Sequence, residues 1–147
     1  MKESFKLDNQ LCFRLYTASR LLTQAYGPLL EGCGLTYPQY LVMMVLWEQD
    51  GQPVNDIARR LFLQTNTVTP LLKRMEEAGL LERTRNSGVD ARQVIVSLTD
   101  KGRALQECLR DVPATIGKKV LCDSITPATA PHLYKMLDDM IATLSQD

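Results

Sequence analysis

The sequence has no net charge, with 17 Lys and Arg against 17 Asp and Glu in 147 residues. It has one histidine, one tryptophan and no Cys-x-x-Cys pair among its four cysteines. It also has no long apolar run, the longest being Leu41 to Trp47. That run falls far short of the roughly 20 residues a membrane helix needs, so no membrane association is expected. The opening MKESFKLDNQ lacks the apolar stretch of a secretory leader, which predicts a cytoplasmic protein. In that compartment Cys12, Cys33, Cys108 and Cys122 are not a disulfide framework by default. His132 stands alone without cysteine pairs at ligand spacing, which argues against a zinc site. No Ser/His/Asp set can be assembled, so neither a metal, a cofactor nor an enzyme activity is expected. There is no Pro/Gly/Ser linker and no internal repeat, and 45% apolar content excludes low-complexity disorder. The length suits one domain with helical arms.

Zero net charge argues against a nucleic-acid partner only if the charge is spread evenly. It is not. Residues 1–53 carry 4 basic and 5 acidic side chains, and residues 104–147 carry 4 and 6. Residues 54–103 carry 9 basic and 6 acidic, a net +3 flanked by −1 and −2. A basic middle third can face a polyanion while the flanks do something else.

The apolar periodicity of Leu7, Leu11, Leu15, Ala18, Leu22, Ala25 and Leu29 predicts an amphipathic helix capped by Asp8 and ending at Gly32-Cys33-Gly34. Gly27-Pro28 is the expected kink. Thr36 is the expected cap of a buried helix from Tyr37 to Glu48, followed by a turn at Asp50-Gly51. Helices are expected at Val54–Leu61 and Thr67–Ala78, the second stopped by Gly79. The period then changes to alternation over Leu80–Arg85 and Gln93–Leu98, a β-hairpin with a long polar tip. Thr99 starts another helix that breaks near Val112-Pro113, and a last helix spans about Ala128 to Leu144.

Helix, short break, helix and hairpin over residues 54–99 is the order of a winged helix-turn-helix. The first helix braces the second, which lies in a major groove. Thr65, Asn66, Thr67 and Thr69 open the second helix with short polar side chains that reach base edges or phosphates. Pro70 fits a first turn, where its missing N–H has no helical partner. Lys73 and Arg74 lie further along, toward phosphates. Arg83, Arg85 and Arg92 belong to the hairpin tip, and an arginine there suits a narrow minor groove. The fold class is therefore mainly α, with residues 50–102 as the winged DNA-binding region. Residues 1–49 and 103–147 are expected to form dimerisation helices. Their apolar stripes exceed what one small winged domain covers, and a second copy would set two recognition helices about 34 Å apart on operator DNA.

Cys12 lies near the start of the first helix, where backbone N–H groups and the helix dipole favour a thiolate. At helical spacing it shares a face with Tyr16 and Ser19, so a phenol hydroxyl can reach toward the sulfur. A reactive thiolate is oxidised to a sulfenic acid and then capped by a thiol. A small buried hydrophobe is the alternative role for this residue.

LDNQLCFRLY (Leu7–Tyr16), LTYPQYLVMMVLWE (Leu35–Glu48), TVTPLLKRMEEAGLLERTR (Thr67–Arg85) and the DAR of Asp90–Arg92 resemble the organic-hydroperoxide-sensing branch of the MarR repressors. The resemblance runs to about Pro113. It implies a homodimeric winged-helix repressor with Cys12 as the peroxide-sensing cysteine, and no cofactor. Tyr26 and Tyr37 match tyrosines that hold the cysteine across the dimer, and Tyr16 matches a further one nearby. Asp90 and Arg92 match the wing pair, Arg92 entering the minor groove and Asp90 orienting it. Some such proteins carry a second cysteine that resolves the first; Cys122 and then Cys108 are the candidates. Without one, a low-molecular-weight thiol caps Cys12. Gln64 replaces an acidic residue usual before the recognition helix, and NSGVDAR is one residue longer than usual. The alternative within this family is a repressor relieved by a small aromatic ligand, with Cys12 structural. A thiol peroxidase and a pure dimerisation scaffold are rivals of other classes.

Overall fold

A computed structural model describes residues 3–85 and 92–146. It divides into two compact units, Met1–Arg110 and Asp111–Asp147. In the first unit two short 3-10 turns precede α1 (Leu11–Glu31), followed by α2 (Tyr37–Glu48), strand β1 (Gln52–Pro53), α3 (Val54–Arg60), α4 (Thr65–Glu77), β2 (Leu81–Arg85), β3 (Val94–Leu98) and α5 (Asp100–Cys108). The second unit holds α6 (Val112–Lys119) and α7 (Ala130–Leu144). No helix among the described residues is long and apolar enough to cross a membrane.

The three strands form an antiparallel sheet in the order β1-β3-β2, with Arg83 opposite Val96 and Gln52 also opposite Val96 from the other side. Leu80, Leu81, Val96 and Leu98 are buried with Val68, Leu72 and Met75 of α4, Ile57 and Ala58 of α3 and five residues of α2. One face of each helix is thus committed to a shared core, which fixes α4 against the hairpin. The architecture is a winged helix-turn-helix: α3, a turn, α4 and a β2–β3 wing.

Several boundaries follow from identifiable caps. Thr36 accepts the Gln39 N–H, and the Gln39 side chain accepts the Thr36 N–H, so the expected cap of α2 is a reciprocal capping box. Thr99 caps α5 by accepting from the Gly102 N–H at 3.1 Å. Gly79, at φ +78°, terminates α4, and the Leu80 N–H bonds back to the Met75 carbonyl.

Other expectations are corrected. Asp8 does not cap α1; it lies in a 3-10 turn, and extended Gln10 occupies the cap position without a side-chain bond. Cys12 therefore becomes the second residue of α1, closer to the helix end than the periodicity implied. The helix continues through Gly27-Pro28 to Glu31. Helix α4 begins at Thr65 because the Gln64 carbonyl already accepts from the Thr67 and Val68 N–H groups. Pro70 is then beyond the first turn, and its missing N–H removes the helical donor to the Asn66 carbonyl. Two features had no expectation: the β1 strand and the left-handed Phe62, φ 56°, at the end of α3.

Candidate functional site

Three arrangements concern function: an exposed polar surface on α4 and the wing, an aromatic cluster between α1 and α2, and the thiol of Cys12.

On the first, Thr65, Asn66, Thr67, Thr69, Lys73 and Arg74 of α4 are all exposed. Thr65 donates to the Asn55 side chain of α3 at 3.0 Å, and the Thr69 hydroxyl donates back to the Thr65 carbonyl. These bonds orient the first turns of α4 on α3. A hollow of about 200 Å³ between α3, α4 and the hairpin is lined by Asn55, Thr65, Thr69, Arg83, Arg92 and Gln93, among others. The structure thus brings together four of the residues expected to meet DNA: Thr65, Thr69, Arg83 and Arg92.

Arg83 is not at the hairpin tip. It sits mid-strand in β2, where its backbone N–H donates to Glu76 Oε2 at 2.8 Å. Its guanidinium donates to Glu76 Oε1 at 3.1 and 3.3 Å. The hydrogen bonds from Arg83 hold the Glu76 carboxyl below its ordinary range. Arg83 is a strut between the recognition helix and the wing. Arg85, at the end of β2, and Arg92 are exposed. Asp90 lies outside the described residues, as does most of the NSGVDAR tip.

On the second, the rings of Tyr26 and Tyr37 stand 4.7 Å apart, and Tyr40 lies 5.8 Å from Tyr26 and 6.5 Å from Tyr37. Tyr40 is buried, while Tyr26 and Tyr37 are half-buried. Burial raises the pKa of all three phenols, and neighbouring tyrosines raise those of Tyr26 and Tyr40 further. At neutral pH they are O–H donors. Tyr40 also meets Trp47 edge to face at 6.2 Å.

On the third, Cys12 is exposed in the first turn of α1. Tyr16, one turn on, is 68% exposed, and among the described residues no hydroxyl of the same chain is bonded to the sulfur. Within one chain the Tyr16 hydroxyl is therefore not hydrogen-bonded to Cys12. Tyr26 is the sixteenth residue of α1 and Cys12 the second. A rise of about 1.5 Å per residue separates them by roughly 21 Å along the axis, yet only about 40° around it. Cys108 ends α5 and Cys122 follows α6, both exposed, while Cys33 is half-buried beyond the end of α1. Among the described residues no cluster of His, Cys, Asp and Glu is placed to hold a metal ion.

The sequence reading missed Glu76, Trp47 and Phe62. Glu76 lies seven positions from Arg83, across a helix end and a turn, where no local spacing rule applies. Trp47 had one signal: it is the sole tryptophan, at the end of a helix otherwise apolar.

Residues 24–109 match the family model described as transcriptional regulator SarA/Rot. The chain is 47% identical over 114 residues to the organic hydroperoxide resistance transcriptional regulator of Bacillus subtilis, covering 78% of this chain and 77% of that protein. It is 50% identical over 134 residues to the HTH-type transcriptional regulator TtmR of Methylorubrum extorquens, covering 91% of this chain and 65% of that longer protein. Among solved structures, reduced AbfR bound to DNA is similar at 38% identity with a TM-score of 0.79, covering 97% of this chain and 96% of that one. AbfR from Staphylococcus epidermidis is also solved in a disulfide-formed state, where the TM-score to this chain is 0.67 at 99% and 97% coverage.

Proposed function

Because the chain belongs to the MarR family of winged-helix transcriptional regulators, we propose that it is a cytoplasmic, homodimeric repressor that releases operator DNA when an organic hydroperoxide oxidises Cys12. The observation that carries this reading is the position of Cys12: exposed, in the first turn of α1, and on the face of that helix that also bears Tyr26. Within one chain Cys12 and Tyr26 stand roughly 21 Å apart along the axis of α1. A second copy is therefore needed to bring the Tyr26 and Tyr37 hydroxyls to Cys12. The dimer also accounts for the apolar residues that one chain leaves exposed, among them Leu11, Phe13, Leu21 and Leu22 of α1, and Met136, Ile141 and Leu144 of α7.

On DNA, α4 lies in the major groove, presenting Thr65, Asn66, Thr67 and Thr69 to bases and phosphates and Lys73 and Arg74 to the backbone. Arg85 and Arg92 approach the minor groove from the wing, with Asp90 orienting Arg92. Arg83 serves by holding the wing to α4.

The chemistry is stoichiometric rather than catalytic. The Cys12 thiolate attacks the terminal oxygen of the hydroperoxide, forming S–O as O–O breaks. The displaced alkoxide takes a proton and leaves as the alcohol, so the thiol is oxidised to a sulfenic acid and the peroxide reduced. A second thiol, from Cys122, Cys108 or a low-molecular-weight thiol, then displaces water and forms a disulfide. Neither product fits the phenol-lined position of the reduced sulfur, and the dimer shifts to a form with lower DNA affinity. A coupling of about 1–3 kcal/mol changes affinity roughly 5- to 150-fold. A relative, AbfR, is solved both reduced and bound to DNA and in a disulfide-formed state, which supports a thiol switch of this kind.

The test is release of a bound DNA duplex by cumene hydroperoxide, read by fluorescence anisotropy, with Cys12 oxidation followed by mass spectrometry. Wild-type protein releases the duplex and the Cys12→Ser variant does not. Release of the Cys12→Ser dimer by peroxide defeats the reading, and release of either protein by a small aromatic acid alone favours the ligand-relieved alternative.

A further inference from the structure

Trp47 closes α2 at the point where the phenol cluster meets the DNA-reading elements. One edge of its ring system packs on Tyr40, which in turn contacts Tyr26 and Tyr37. Its indole N–H donates to the Gly102 carbonyl at 3.0 Å, across 55 residues of sequence. Gly102 has no slack: a Cβ there would lie 2.1 Å from the Leu80 carbonyl oxygen. The same turn of α5 grips the end of the recognition helix. The Thr99 hydroxyl donates to the Gly79 carbonyl at 2.6 Å, the Thr99 N–H to the Leu80 carbonyl at 3.1 Å, and Lys101 Nζ to the Ala78 carbonyl at 2.8 Å.

A short, directional chain of contacts therefore runs from the phenols through one indole to the carbonyls of Ala78, Gly79 and Leu80, which join α4 to the base of the wing. Apolar packing between α2 and α4 is spread over many atoms and tolerates small displacements. A hydrogen bond weakens steeply with misalignment, and a turn already in contact with backbone cannot absorb the motion locally.

We propose that Trp47 is a positioning residue that transmits the state of the Tyr26, Tyr37 and Tyr40 cluster to α4 and the wing through its hydrogen bond to Gly102. The proposal rests on the Cys12 switch described above and names the residue through which that switch reaches DNA. It concerns coupling between two sites, so the decisive quantity is a ratio of affinities and not an affinity.

The experiment compares wild-type and Trp47→Phe dimers, each reduced and each oxidised with one equivalent of cumene hydroperoxide in the presence of free cysteine. Oxidation of Cys12 is verified by mass spectrometry. The probe is the duplex selected by the reduced wild-type protein from a random-sequence pool. Phenylalanine keeps an aromatic ring near Tyr40 and removes the donor to Gly102, together with one ring of the indole. Wild-type affinity is expected to fall at least about fivefold on oxidation, whereas the Trp47→Phe ratio falls to below about twofold. An unchanged ratio in Trp47→Phe overturns the coupling role while leaving the Cys12 switch intact. A wild-type ratio near one, with Cys12 oxidised, overturns both. If the variant does not fold, the wild-type protein decides, because Trp47 is the sole tryptophan and its fluorescence is an unambiguous reporter. Its emission is expected to shift on Cys12 oxidation and to stay constant in Cys12→Ser under the same treatment. Constant emission in the oxidised wild-type protein overturns the proposal.

Discussion

Arg83 of the wing and Glu76 of the recognition helix are joined by a backbone N–H and two guanidinium N–H donors converging on one carboxylate. This ties the angle of β2 to α4, the two elements that meet DNA together in the proposed complex. Because Arg83 lowers the Glu76 pKa, the folded state favours the charged carboxylate. Its contribution is full above the ordinary carboxylate range and is lost as pH falls through that range to the lowered value of the folded protein. Amide hydrogen exchange at Arg83, corrected for intrinsic rates, is expected to lose protection over that acidic window. Glu76→Gln is expected to reduce protection at neutral pH and flatten the dependence. An acid-insensitive Arg83 amide in the wild-type protein contradicts this.

Arg83 and Arg85 are two residues apart on one strand and are expected to differ in kind. Arg85→Ala removes an exposed charge beside the proposed minor-groove contact. It should weaken DNA binding and reduce the magnitude of the salt slope by about two per dimer, one for each wing. Arg83→Ala should weaken binding by releasing the wing, with a smaller change in slope and faster exchange along β2. Anisotropy titrations over a range of salt concentrations separate the two; equal slope changes contradict the distinction.

Phe62 occupies the left-handed position at the end of α3, where the Leu63 N–H reaches back to the Ala58 carbonyl at 2.9 Å. Glycine is the usual residue there, because a Cβ costs roughly 1–2 kcal/mol in this conformation. The side chain is 68% exposed, so little packing compensates. After the added chain entropy of glycine, Phe62→Gly is expected to stabilise the fold by about 0.5–1 kcal/mol. A rise in the urea midpoint with unchanged slope measures this, and a lower midpoint assigns the ring a packing role.

The sequence and the structure agree where a single local cause governs. Thr36 and Gln39 spell a capping box, and α2 begins as their spacing demands. The hairpin strands follow from alternation, and Gly79 stops α4. Disagreement arises where the cause is remote. Arg83 reads as a wing arginine until α4 brings Glu76 beside it. Phe62 carries no sign of a left-handed backbone, since that conformation is imposed by the turn that joins α3 to α4. Helix α4 starts two residues before the expected Thr67: Thr and Asn are weak interior helix formers, yet bonding to the Gln64 carbonyl recruits Thr65 and Asn66 into the helix. The candidate thiol site was legible only in its parts. Cys12 stands out by its place at the helix start, whereas Tyr26 and Tyr37 follow only from resemblance, and a pairing across two chains has no local signature.

Such a pairing has a consequence for mixed dimers. If Tyr26 and Tyr37 act on the Cys12 of the other chain, a Cys12→Ser homodimer has no sulfur and a Tyr26→Phe/Tyr37→Phe homodimer has sulfur without donors. A heterodimer of the two variants has one complete site, because the intact Cys12 of one chain meets the intact tyrosines of the other. If the phenols acted within their own chain, the same heterodimer would have none. Differently tagged chains, co-expressed and purified in tandem, allow the comparison. The pseudo-first-order rate of Cys12 oxidation by cumene hydroperoxide is expected to return to about the wild-type value per intact site in the heterodimer. The Tyr26→Phe/Tyr37→Phe homodimer should be slower by roughly a hundredfold, the equivalent of two lost charge-assisted hydrogen bonds of about 1.4 kcal/mol each. A heterodimer as slow as that homodimer shows that the phenols act within their own chain. A Tyr26→Phe/Tyr37→Phe homodimer as fast as the wild-type protein places the donors elsewhere. Tyr16, which lies one turn from Cys12 in the same chain, is then the next residue to remove.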